Sequence, residues 1–203
     1  VVKVGVASGV TLWREKFSAV EQKALLDDVM ERLKAAPLYR PVMPGTGKPF
    51  SAEESNFGPL GWVSDKSGYR YQPAHPVTGT PWPAIPAALL ALWEQIARLP
   101  PPQCCLVNFY RDDAKMGLHQ DRDEGDVRAP VVGVSLGDTA VFRIGGSARG
   151  GKTVRVALAS GDVIAFGGPA RLAYHGIDRI QAGTSRLVAG GGRLSLTLRH
   201  VAS

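Results

Sequence analysis

The apolar positions along this chain change period twice, and those changes divide it into parts. In "SAVEQKALLDDVMERLKAA", residues 18–36, Val20, Leu25, Val29 and Leu33 recur at helical spacing behind a Ser18–Glu21 capping box. The spacing predicts an amphipathic helix. Residues 37–83 are rich in Gly, Pro, Ser and aromatics and hold no sustained period. A second helix is predicted in "AIPAALLALWEQIARL", with Pro86 tolerated in its first turn.

Beyond "PPQ" at 101–103 the pattern turns to short strands separated by turn residues. The candidates are "CCLVNFY", "VVGVSLG", "TAVFRIG", "KTVRVALAS", "DVIAFGG" and "RLSLTLRHV". Helices first and antiparallel strands afterwards argue for an α+β chain that is mainly β, a sandwich or barrel buttressed by N-terminal helices. A doubly wound parallel sheet would need helices between the late strands, and the pattern offers none.

Composition adds bounds to this picture. A chain of 203 residues suits a single domain, taken as 1–203. Its longest apolar runs fall well short of the ~20 residues that cross a bilayer, so no membrane partner is expected. The start, "VVKVGVASGVTLWREKFS", lacks the basic head and long apolar stretch of a secretory signal. Cys104 and Cys105 are adjacent, and a strand would point them to opposite faces. No structural disulfide is expected, which fits a reducing cytoplasm. A net charge of +6 favours an anionic partner such as nucleic acid, although many basic proteins bind none.

Candidate chemistry begins at "LHQDRDE", residues 118–124. An extended backbone would put His119 and Asp121 on one face, with Asp123 next by strict alternation. His175 follows 54 residues after Asp121, beyond a predicted strand and turn. Two histidines and one carboxylate, the close pair as H-x-D, are the donor set of a facial non-haem Fe(II) site. Alone, H-x-D is more simply read as a solvated turn. In "RLSLTLRHV", however, Arg193, Ser195, Thr197 and Arg199 share one face, opposite Leu194, Leu196 and Leu198. The plain account is a wet outer face. The other is an arginine pair holding a dicarboxylate, because the guanidinium fork matches a carboxylate bidentately. Asn108 and Tyr110 share a face of "CCLVNFY" and could hydrogen-bond the same anion.

In this order "NFY", "LHQDRDE", "PVVGVSLG", "GDVIAFGG", "YHGI" and "RLSLTLR" resemble the AlkB family of Fe(II)/2-oxoglutarate-dependent dioxygenases. "GPLGWVSDKSGYRYQPAHPVTGTPWPAIP" resembles the substrate-recognition region of its bacterial DNA-repair members, and the likeness runs from about residue 56 to residue 200. The resemblance implies a double-stranded β-helix, or jelly roll, over 104–201, under a nucleotide-recognition lid at 37–83. It implies Fe(II) on His119, Asp121 and His175, with 2-oxoglutarate and O2 as co-substrates. Arg193 and Tyr110 would hold the distal carboxylate of 2-oxoglutarate, and Arg199 and Asn108 the keto-acid end. Ser195 stands where bacterial relatives carry Asn and would share that contact.

The family reaction hydroxylates a methyl group on a base nitrogen, and the product releases formaldehyde while 2-oxoglutarate becomes succinate. The implied substrate is alkylated DNA, or RNA, of the 1-methyladenine and 3-methylcytosine type. The base must be flipped out, and a lesion that cannot pair is cheap to flip. Trp62 and Tyr69 would line the base pocket, Trp62 stacking opposite His119, and Asp123 would lie near the exocyclic amine. Tyr71 and Arg149 are further candidates for substrate contact, with packing or solvation as the alternative. Trp13, Trp82 and Trp93 read as packing residues, and His75 and His200 as surface residues outside the metal site. A monomer is expected. Two other readings stay open: the same fold and cofactors acting on a protein or small molecule, and a non-catalytic jelly-roll binding module.

Overall fold

The computed structural model describes residues 2–111 and 113–202. The chain opens on strands and not on a helix. β1 (Val2–Ala7) and β2 (Val10–Arg14) form an antiparallel hairpin ahead of α1 (Ala19–Ala35). The capping box is present at the start of α1. Ser18 Oγ accepts from the Glu21 N–H, and the Glu21 carboxylate accepts from the Ser18 N–H at 2.8 Å. The helix buries Leu25, Leu26, Val29 and Leu33, whereas Val20 is 80% exposed. The apolar stripe therefore starts a turn later than the spacing predicts.

The segment after α1 holds β3 (Glu53–Phe57) and a hairpin of β4 (Gly61–Asp65) and β5 (Gly68–Gln72), followed by α2 (Ala87–Ile96). Pro86 caps α2, where its missing N–H costs nothing. The remaining strands are β6 (Cys104–Tyr110), β7 (Met116–His119), β8 (Val131–Gly137), β9 (Thr139–Ile144), β10 (Val154–Leu158), β11 (Val163–Phe166), β12 (His175–Gln181) and β13 (Arg193–Arg199). A seven-stranded sheet runs β1-β2-β11-β8-β13-β6-β3, and a four-stranded sheet runs β10-β9-β12-β7. Facing one another, they make the jelly roll. β3 lies inside the 37–83 segment yet forms the edge of the larger sheet against β6.

Both faces of the larger sheet are covered. Cys105, Val107 and Phe109 of β6 and Leu194, Leu196 and Leu198 of β13 pack with α1 and α2 in one core cluster. Burying each such leucine contributes about 1.5–3 kcal/mol. The polar face of β13 is thus not a wet exterior. Arg193 and Arg199 are buried, and with Ser195 and Thr197 they line a cavity between the sheets. Cys104 and Cys105 are both buried and free. No helix among the described residues is long and apolar enough to cross a membrane.

His75 and His200 are not surface residues. His75 is 1% exposed and packs between Tyr39 and Trp82, with ring centroids 5.2 and 5.0 Å away. Its Nδ1 accepts from the Val77 and Thr78 N–H groups, so Nε2 carries the hydrogen donated to the Pro37 carbonyl at 2.8 Å. It fastens the two ends of the 37–83 segment to each other. His200 is buried with Nδ1 3.9 Å from Asp126. Trp82 and Trp93 are buried and Trp13 packs against the core from its edge.

Candidate active site

The inner faces of the two sheets enclose a cavity of about 680 Å³. His119 ends β7, His175 begins β12, and the two are direct partners across the antiparallel pair. Gly176 makes the close approach of these strands possible. A Cβ there would lie 2.5 Å from the Met116 carbonyl oxygen and 2.9 Å from that of Gly117. Asp121 follows His119 in a non-regular loop, so the pair meets through a turn and not through continued strand alternation.

One ligating atom from each of His119, Asp121 and His175 lies within 4.8 Å of the others. Asp121 Oδ1 is 3.6 Å from His119 Nε2 and 3.9 Å from His175 Nε2. Each Nδ1 faces a backbone carbonyl, Gly117 at 3.0 Å and Ala173 at 2.9 Å. A carbonyl only accepts, so Nδ1 carries the hydrogen and the Nε2 lone pair faces the other ligands. His175 is packed against Phe142 and Phe166, and burial pushes it down to about 4, which keeps it neutral. Burial also works against a charged His119, but the neighbouring Asp121 raises it on balance. Burial alone would raise Asp121; the Arg199 guanidinium and the two histidines outweigh it and hold the carboxylate well below its usual range.

Behind the triad stands a buried charge network. Arg199 donates to Asp121 Oδ2 from Nε at 3.1 Å and pairs with it through Nη2 at 2.9 Å, leaving Oδ1 for the histidine side. Arg171 donates to the Asp121 carbonyl at 2.5 Å, to the Ala129 carbonyl at 2.8 Å and to Glu124 Oε2 at 3.0 Å. The Tyr71 hydroxyl of β5 donates to Glu124 Oε1 and ties the β4–β5 hairpin to the metal loop. Glu124 is buried and ties this loop in place. Arg171 carried no signal beyond lying four residues before His175, since an isolated arginine after a Gly-Pro turn has no pattern to betray its burial.

Arg193 is different in kind. It is 1% exposed, donates to the Leu158 carbonyl at 3.3 Å and to Ser135 Oγ at 2.9 Å, and leaves Nε without a partner. Among the described residues no carboxylate comes within ion-pair distance of it. Burial pushes it down to about 10, an unusual state for a guanidinium. A buried cation with neutral partners only is costly to the fold, and its chemistry suits an anion. Asn108, Tyr110, Ser195 and Arg199 line the same cavity, and Asn108 Oδ1 is also unpartnered.

The outer part of the cavity is aromatic. Trp62 stacks on Tyr69 with centroids 5.4 Å apart, and Phe50 lies 6.4 Å from Trp62. Asp123 is exposed, and its Oδ2 accepts the Trp62 indole N–H at 2.8 Å. Arg149 lines the mouth with its guanidinium 5.7 Å from the Tyr174 ring centroid. Tyr71 does not line the cavity; it acts through Glu124.

Residues 9–199 match the family model described as the 2OG-Fe(II) oxygenase superfamily. The chain is 53% identical over 198 residues to an alpha-ketoglutarate-dependent dioxygenase AlkB homolog of Caulobacter vibrioides, covering 96% of this chain and 89% of that protein. It is 41% identical over 199 residues to the alpha-ketoglutarate-dependent dioxygenase AlkB of Escherichia coli K12, covering 96% and 90%. The solved structure of OsALKBH1 superposes with a TM-score of 0.83 at 30% identity, over 98% of this chain and 100% of the other.

Proposed function

The chain belongs to the AlkB family of Fe(II)/2-oxoglutarate-dependent dioxygenases, and on that footing we propose that it oxidatively demethylates alkylated nucleobases in nucleic acid. The observation that carries this reading is the unpaired buried guanidinium of Arg193, sharing one cavity with the His119–Asp121–His175 cluster and a stack of lid aromatics.

The donor set fits the family metal. Two imidazoles and one carboxylate suit Fe(II), and three protein ligands would leave it positions for a co-substrate. When bound, iron with O2 and 2-oxoglutarate supplies the oxidation of a methyl group. His119, Asp121 and His175 would hold the metal, with Arg199 orienting Asp121 and the Gly117 and Ala173 carbonyls orienting the rings. Arg193 would take one carboxylate of 2-oxoglutarate, with Tyr110 beside it. Asn108, Ser195 and Arg199 would face the other end.

Trp62 and Tyr69 would receive a flipped base, and Trp62 is held in place by Asp123. A methylated adenine or cytosine is a cationic aromatic ring, which stacks well on tryptophan. DNA is the leading substrate, with RNA the competing one. The same reading has the protein act as a monomer. The two free thiols support a reducing, cytoplasmic setting. The test is formation of succinate and formaldehyde with iron, 2-oxoglutarate and a methylated oligonucleotide, DNA and RNA in separate arms. Turnover indifferent to the nucleic acid would remove the substrate assignment.

A further inference from the structure

One ionisable group in the cavity has no place in the roles above. Glu54 on β3 is 0% exposed, and neither carboxyl oxygen has a hydrogen-bond partner. Such a group destabilises the fold, since a buried polar atom loses its water and gains nothing in return. Burial pushes it up to about 8, against a downward pull from Arg199. Its backbone N–H and C=O are both bonded to Tyr39, and in the sheet register it stands opposite Asn108 of β6.

The register gives Glu54 an address. One row of side chains crosses the inner face of the larger sheet in the order Glu54, Asn108, Ser195, Ser135. Asn108 and Ser195 belong to the proposed co-substrate set, and Glu54 ends the row on the edge strand. There the lid residues Phe50, Trp62 and Tyr69 line the same cavity. We infer that Glu54 is a specificity-determining residue that selects positively charged, amine-bearing bases, its bare carboxyl accepting an exocyclic N–H of the flipped base. This rests on the nucleobase reading above.

The chemistry separates the two candidate ligands of the carboxyl. 2-Oxoglutarate is an acceptor-rich dianion and offers Glu54 no donor. A methylated cytosine or adenine brings N–H groups and a positive charge, both of which favour a carboxylate beside it. Asp123 cannot be the whole of this recognition, because it is exposed and its Oδ2 is occupied by the Trp62 indole. Glu54 is buried and wholly unengaged.

The test uses the full chain, free of iron, and fluorescence anisotropy with oligonucleotides carrying 3-methylcytosine, which is cationic, or 3-methylthymine, which is neutral and lacks the amine. E54Q keeps the shape and E54L removes the polar group altogether. Both should reduce the preference for 3-methylcytosine over 3-methylthymine by about tenfold or more, the worth of one hydrogen bond to a charged group. The KM for 2-oxoglutarate in the iron-loaded variants should stay in the wild-type range. E54L should melt above wild type, so a folding failure of E54Q leaves E54L to decide. Equal losses on both lesions, an unchanged preference, or a raised KM for 2-oxoglutarate would overturn the role of Glu54 alone. Wild-type protein that binds neither lesion better than unmodified DNA would overturn the nucleobase reading and this assignment with it.

Discussion

His119 and His175 face each other directly across the β7–β12 pair, the last residue of one strand against the first of the other. Two ligands of the candidate metal centre are therefore placed by strand register, and the third, Asp121, is placed by a turn and by Arg199. The three should not be equal in their effect on the fold.

Asp121→Ala should cost metal and stability together, because it strips Arg199 of its principal counter-charge while that guanidinium stays buried. A loss of roughly 3–5 kcal/mol is expected. His119→Ala should lose metal while changing stability by about 1 kcal/mol or less, since its side chain is 36% exposed and its protein hydrogen bond is local. Iron stoichiometry and urea denaturation of the metal-free proteins check both. Equal stability for the two variants would contradict the dependence of Arg199 on Asp121.

Arg193→Leu should raise the KM for 2-oxoglutarate by about 30-fold or more, the worth of a buried charge-assisted pair. In the absence of co-substrate it should leave the melting temperature unchanged or higher, since it removes a buried charge that lacks an anion. A variant that melts well below wild type yet binds 2-oxoglutarate normally would assign Arg193 to the scaffold.

Tyr71→Phe removes the bond between the β4–β5 hairpin and Glu124 without touching the cavity wall. A hydrogen bond to a charged partner is worth about 1.5–3 kcal/mol. The loss should appear as weaker binding of methylated oligonucleotide and faster proteolysis within residues 58–72, with the KM for 2-oxoglutarate unaffected. A change in 2-oxoglutarate binding alone would place the hairpin's influence elsewhere.

Two buried groups tilt stability against pH in opposite directions. His175 is held down to about 4, so below the ordinary histidine value of about 6.5 the unfolded chain binds the extra proton and the metal-free protein weakens as pH falls. Glu54 is pushed up to about 8, so from the ordinary glutamate range to that value the folded chain holds the extra proton and stability falls as pH rises. The difference in unfolding free energy between wild type and E54Q should therefore widen between pH 5 and 8 by up to about 1.4 kcal/mol per unit. A pH-independent difference would mean that Glu54 does not titrate in that range.

The sequence carried the late strands well, because turn residues punctuate each one and their lengths leave little choice. It carried the polar composition of the site too, in the H-x-D pair and in the arginines of β13. What alternation could not tell was which face of β13 meets water, since a polar cavity wall and a wet exterior have the same period. Polar or glycine-broken strands were also illegible: β3 reads "EESNF", and β7 is four residues long. The β1–β2 hairpin is ordinary in composition, and its place beside β11 depends on a pairing some 150 residues away in the chain. Glu54 and Arg171 are charged residues whose burial only the assembled sheets decide.

The position of β3 bears on how such a protein can be altered. The 37–83 segment contributes a strand of the larger sheet and then leaves it for the β4–β5 hairpin, so the proposed recognition surface and the scaffold share a covalent seam. Grafting the whole of 37–83 from a relative would replace a sheet edge, with its pairing to β6, as well as a reading surface. Exchanging only 58–72 would leave the pairing of β3 with β6 in place. Substrate range in this architecture can thus drift by two separable routes, replacement of the hairpin and point changes along the inner face of one edge strand.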